Sequence, residues 1–122
     1  MNKQVFKPII SINLRKPVIR INKSAITSIG NPEYILFLVN TKDCSLGILP
    51  SDKNDPKAHH IYKYSNKKSY ELYSKSLIKN LKMLCPMWES KGTYRMEGYY
   101  TKNPNIIKFN MSDAVKLDGA VK

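Results

Sequence analysis

Lys75, Lys79 and Lys82 recur at i, i+4 and i+7, opposite Leu77, Ile78, Leu81 and Leu84, so one segment carries a basic face and an apolar face. A face of this kind is ordinarily just solvated. It becomes a phosphate-binding surface when other cations stand beside it, and the first turn of a helix adds the positive end of the helix dipole. Lys23 opens a shorter helical pattern, Lys23–Ile29, in the place that Lys75 holds in the longer one. Arg15, Lys16 and Arg20 precede it, while Lys42 and Lys102 fall on polar connections between apolar runs. These nine residues are the candidates for binding a polyanion. Arg, the side chain that best reads base edges, is scarce among them, so the expected contacts are to phosphates.

Other chemistry is thinly represented. His59-His60 is the only histidine pair, and neighbours on a strand point to opposite faces, which suits neither chelation nor a catalytic pair. Cys44 and Cys85 lack metal-ligand spacing and read as small apolar side chains. The five glycines are scattered, which excludes a glycine-rich phosphate loop, and the nine acids show no close carboxylate pair for general acid–base work. The expectation is a protein that is not an enzyme, with no metal and no cofactor. Tyr62, Tyr64, Tyr70, Tyr73, Tyr94, Tyr99 and Tyr100 suit stacking on unpaired bases. Packing on half-buried strands explains most of them equally well. Trp88 is open between core and exposed anchor.

The 122 residues carry 21 Lys plus Arg against 9 Asp plus Glu, a net charge of +12. Such a surplus attracts phosphate backbones. Part of it has a blander origin: 18 of the 21 are Lys, and Lys, Asn, Ile and Tyr are all abundant, as codons rich in A and T would produce. That bias leaves the shortage of acids unexplained. Tyr34–Val39, the longest strongly apolar run, is too short to cross a bilayer. No apolar signal core follows Met1–Lys7, and the expectation is a cytoplasmic protein with no membrane partner.

The elements that must position the cations follow from pattern and punctuation. Val5–Leu14 reads as a strand, interrupted at Lys16-Pro17, and Val18–Ile21 as another. Asn22 caps the helix Lys23–Ile29, with Ala25, Ile26 and Ile29 on one face and Gly30 as terminator. Tyr34–Val39 and Leu46–Leu49 form a hairpin, and Pro50–Lys57 a surface loop. His59–Tyr64 reads as a connecting strand, Ser65–Ser69 as a turn and Tyr70–Tyr73 as a strand. Ser74 caps the helix Lys75–Leu84, which Pro86 ends. Thr93–Thr101 and Ile106–Met111 flank the turn Lys102-Asn103-Pro104-Asn105, and Ser112–Leu117 reads as the start of a helical turn.

Strand, helix and hairpin thus occur twice. Asn22-Lys23-Ser24-Ala25-Ile26 aligns with Ser74-Lys75-Ser76-Leu77-Ile78, an offset of 52, and the hairpins align at an offset of 60, Tyr34 with Tyr94 and Thr41-Lys42 with Thr101-Lys102. The expected fold is α+β: a strand-dominated small barrel or sandwich from two pseudo-twofold β-α-β-β repeats with two short helices. One domain spans 1–117, with repeat one at 18–50, a connection at 51–69, repeat two at 70–111 and a loose tail at 118–122. Two such units close a barrel by interleaving hairpins, which removes exposed edges.

Val18-Ile19-Arg20-Ile21, the capped helix Asn22–Ile29, Gly30 and the hairpin Tyr34–Leu49 ending in Pro50 resemble the AbrB/SpoVT type of swapped-hairpin DNA-binding domain. The chain departs from that pattern at Asn22, where the family usually has Pro, and at Asn31-Pro32-Glu33, where it usually has a Gly-Asp turn. Its basic residue at the start of the first strand is replaced by Val18. The resemblance implies two interlaced units binding DNA through basic residues, here within one chain. The expected function is therefore a nucleic-acid-binding regulator or accessory factor, with duplex DNA as the leading partner. A protein–protein module, adaptor or antitoxin-like, is the alternative, and a homodimer is compatible with either.

Overall fold

The computed structural model describes residues 7–61 and 69–117. Alternation drives the first strands: Ile10 and Ile12 of β1 (Ile9–Asn13) and Ile19 and Ile21 of β2 (Val18–Asn22) all point into the core. β2 leads directly into helix α1 (Lys23–Ser28), then β3 (Tyr34–Asn40) and β4 (Ser45–Ser51). A loop carries β5 (His59–His60), and β6 (Ser69–Tyr73) leads to α2 (Lys75–Leu84). β7 (Thr93–Thr101), β8 (Ile106–Asn110), a 3-10 turn (Met111–Asp113) and β9 (Val115–Lys116) complete the chain.

The strands lie in the order β5-β3-β4-β8-β7-β1-β2-β6, every pair antiparallel, and β9 adds to β7. The result is a small, nearly closed α+β barrel with two short helices. Its interior is a continuous apolar cluster that includes Ile10, Ile35, Leu46, Ile48, Ile107 and Phe109. α1 contributes Ala25 and Ile26, and α2 contributes Leu77, Ile78 and Leu81. β7 holds the barrel together: Thr93–Glu97 pair with β1, and Gly98–Thr101 pair with β8.

Each helix is ended by the residues that sequence singles out, with one exception in how it starts. Ser74 accepts the Leu77 N–H at 3.2 Å and caps α2. Asn22 occupies the corresponding place in α1 without capping it. Its amide oxygen accepts the Ile9 N–H and its nitrogen donates to the Lys7 carbonyl, both at 3.0 Å, so it ties down the start of β1 instead. At the other end, Gly30 takes φ +97°, and the Gly30 and Asn31 N–H groups donate back to Thr27 and Ile26. That is the left-handed stop expected of a helix-terminal glycine.

Several expectations shift. Ser112–Leu117 is a 3-10 turn followed by β9, because Val115 and Lys116 find open ladder positions opposite Arg95 and Tyr94. Pro50 and Ser51 extend β4 instead of opening the loop. The hairpin tips also differ in register from the sequence alignment. β3–β4 turns on Thr41–Cys44 and β7–β8 on Lys102–Asn105, one residue later than that alignment places it. Matching the ladders pairs buried Leu46 with buried Ile107 and Ile48 with Phe109. A one-residue slip would turn those side chains to the opposite face. Val5 in the first strand, Tyr62–Tyr64, the turn 65–68 and the tail 118–122 lie outside the described residues.

Candidate nucleic-acid interface

The β1–β2 turn is the first element of the site. Asn13 accepts both the Arg15 and Lys16 N–H groups on its side-chain oxygen at 3.0 Å, a local clamp typical of Asn in turns. Leu14 points inward and its N–H donates to the Gly92 carbonyl at 2.9 Å. The clamp therefore leaves Arg15 and Lys16 exposed at the surface, between two residues that face the body of the molecule. The same hydrogen bond brings the 89–92 loop alongside, with exposed Lys91.

α2 supplies the second element. Its apolar side chains face the core, which turns Lys75, Lys79 and Lys82 toward this turn. The three lysines line a shallow groove of about 290 Å³ together with Leu14, Pro17 and Ile78. Three of the nine candidates, Lys75, Lys79 and Lys82, thus line one groove, and two more, Arg15 and Lys16, lie in the chain between its lining residues Leu14 and Pro17. The ion pairs among the described residues are Lys7–Glu97, Arg20–Glu71, Arg95–Glu97 and Lys116–Glu89, and none engages a member of this group. Tyr73 stands at the same end of the barrel, one residue before the α2 cap, and is 68% exposed.

The other four candidates are elsewhere. Arg20 faces Glu71 across the β2–β6 ladder and binds it through Nε at 2.7 Å, so its charge has an internal partner. Lys23 starts α1 at the far end of β2. Because Val18 lies opposite Tyr73 and Asn22 opposite Ser69, the two helix starts sit at opposite ends of an antiparallel pair. Five residues of strand separate them, about 17 Å at ~3.3 Å per residue. The two helix starts are thus not side by side. Lys42 and Lys102 sit on tips at opposite ends of the β4–β8 pair, and in different turn positions: Lys42 second, Lys102 first.

Trp88, left open in sequence, is placed by its packing. Trp88 stacks on Tyr94 with ring centroids 4.5 Å apart, and the Glu89 N–H donates to the Tyr94 hydroxyl, so Trp88 is half-buried and packs against the core. His59 lines a groove of about 640 Å³ with Phe37, Asp55, Lys57 and Ser76. A histidine beside an acid in a groove would favour catalysis, yet Asp55 commits both oxygens to its own loop. One accepts from Lys57 N–H at 2.9 Å and the other from Ser51 Oγ at 3.2 Å. His59 instead packs edge-on against Phe37 at 5.1 Å, and burial pushes its pKa below the usual 6.5. Among the described residues no three His, Cys, Asp or Glu side chains are placed to hold a metal.

Sequence reasoning missed Lys91 and the apolar floor of Leu14 and Pro17. Their only signal is the Leu14–Gly92 hydrogen bond, which no local pattern announces. No helix among the described residues is long and apolar enough to cross a membrane. No protein-family model, curated protein or solved structure matches the chain.

Proposed function

We propose that the chain binds nucleic acid through phosphate contacts, with duplex DNA as the leading partner, as a regulator or accessory factor. One observation carries this reading: Lys75, Lys79 and Lys82 line one groove whose other wall, Leu14 and Pro17, brackets exposed Arg15 and Lys16 in the chain, and none of the five is in an ion pair with a carboxylate among the described residues. Cations held close together without internal neutralisation attract a polyanion most strongly, and they release its condensed counterions on contact. The groove floor is apolar and shallow, which suits a backbone lying across it better than an inserted base.

The AbrB-like reading draws support from how the two hairpins close. Asn105, at the β7–β8 tip, donates to the Ile29 carbonyl at the end of α1 at 3.1 Å. Val39 and Thr41, beside the other tip, share a groove with Asn80, Met83 and Leu84 of α2. Each hairpin therefore rests on the helix of the other β-α-β-β segment, the arrangement that two interlaced repeats would adopt.

Titration of a labelled random-sequence duplex at several salt concentrations tests the proposal. The expected log K falls linearly with log salt, with a slope of about −0.9 per phosphate contacted. Absent binding, or binding indifferent to salt, overturns it.

A second reading, a protein-binding module, rests on Met83, 73% exposed in the groove between α2 and the β3–β4 tip, and on Met87, also 73% exposed. Replacing both with Ser leaves duplex affinity unchanged if the basic groove is the working surface. A large loss of duplex affinity in that variant would mean that the methionine face belongs to it.

A further inference from the structure

The tip of the β3–β4 hairpin and the end of α2 bring together the two cysteines of the chain. Cys85 is the C-cap residue of α2, with its N–H donating to the Leu81 carbonyl at 2.8 Å. Its side chain is buried and its thiol lies 3.9 Å from the Met111 sulfur, with Cys44 near enough to act on it. Met111 in turn donates its N–H to the Cys44 carbonyl at 2.9 Å, which holds the tip against the end of β8 from the backbone. Both thiols are free.

The two sites differ in a way that orders their chemistry. Cys44 is half-buried and takes φ +58°, a conformation that Gly or Asn adopts more cheaply. A cysteine at that position carries a conformational cost. Burial, with Cys44 alongside, pushes the Cys85 thiol up to about 11, so it stays protonated and does not react first. Cys44 is the thiol that solvent reaches, and Cys85 is buried behind it.

We propose that Cys44 and Cys85 form a reversible intramolecular disulfide under peroxide, tying the β3–β4 tip to the end of α2. The Cys44 sulfur attacks one peroxide oxygen, the O–O bond breaks, and Cys44 becomes a sulfenic acid as one water leaves. The Cys85 sulfur then attacks Cys44. The S–O bond breaks, and the Cys85 proton leaves with that oxygen as the second water. Two thiols and one peroxide give one disulfide and two waters. α2 carries Lys75, Lys79 and Lys82, so the oxidised form tethers the basic helix to the barrel at the end opposite its cap. This chemistry is independent of whether the groove binds nucleic acid.

The test treats the reduced full chain with one equivalent of hydrogen peroxide. The expected product is a monomer lighter by two hydrogens, yielding a Cys44–Cys85 linked peptide on non-reducing digestion. Its Tm should rise by roughly 5–10 °C, because the bond closes a long loop in the unfolded chain, and dithiothreitol should reverse the shift. Cys44→Ser, at a half-exposed turn position, should keep the fold and lose both changes. Cys85→Ala should lose them too, with Cys44 then accumulating oxygen. Oxygen added to Cys44 of the unsubstituted chain with Cys85 still a thiol, a dimer linked through Cys44, or a disulfide that lowers Tm would each overturn the proposal.

Discussion

At the scale of single residues, His59 is a packing residue with a titratable cost. Its ring meets Phe37 edge-on, and burial lowers its pKa from 6.5. The unfolded chain therefore binds a proton at this histidine more readily than the folded chain does. The contribution of neutral His59 is present above pH about 6.5 and is lost as pH falls from there toward the depressed folded value. Urea midpoints for wild type and His59→Leu at pH 7.5 and pH 5.5 should show a smaller acid-side loss in the variant. Equal losses would mean that His59 does not titrate against stability. Asn22 makes a related point. It is legible in sequence as a helix cap, yet its amide serves the start of β1, because the Lys7 carbonyl and Ile9 N–H come within reach only in the folded barrel.

At the scale of elements, β7 is the strand on which barrel formation turns. It leaves β1 as its main ladder partner at Glu97 and takes up β8 at Gly98. A Cβ on Gly98 would run into the Lys108 carbonyl, and into the Phe109 ring at 2.6 Å. The ladder and the buried Phe109 occupy the space that a side chain needs. Gly98→Ala is expected to cost roughly 1–3 kcal/mol in urea unfolding. An unchanged midpoint would show that the strand shifts freely at this crossing. α2 is the element most legible in sequence: Ser74, the helical period of Leu77, Ile78 and Leu81, and Pro86 delimit it to the observed Lys75–Leu84. The hairpin register is less legible, because the identity of Thr41-Lys42 with Thr101-Lys102 favours an offset of 60, one residue short of the offset at which the ladders match. What excludes the slip is the burial of Leu46 and Ile48, of Ile107 and Phe109, which only the closed barrel enforces. β9 is illegible for a similar reason, since two residues carry no period of their own.

At the scale of the whole molecule, the placement of charge decides more than its total. Substituting Lys75, Lys79 and Lys82 by Gln should flatten the salt dependence of duplex binding, by about one unit of slope for each phosphate that is no longer neutralised. Substituting Lys42, Lys53 and Lys102 removes the same charge from turns away from the groove, and should leave the slope nearly unchanged. Equal weakening by both triple variants would mean that total charge does the work and the groove does not. Composition alone determines that the chain is strongly basic, and local pattern determines that it is strand-dominated with one strongly amphipathic helix. These are properties of short stretches, where period and turn chemistry act directly. Which cations meet was decided only by the tertiary structure. Antiparallel pairing of β2 with β6 sends Lys23 and Lys75 to opposite ends, while the packing of α2 brings Leu14 and Pro17, on either side of Arg15 and Lys16 in the chain, into one groove with Lys79 and Lys82. Contacts between residues so distant in sequence depend on how the barrel closes, and no local pattern carries that information.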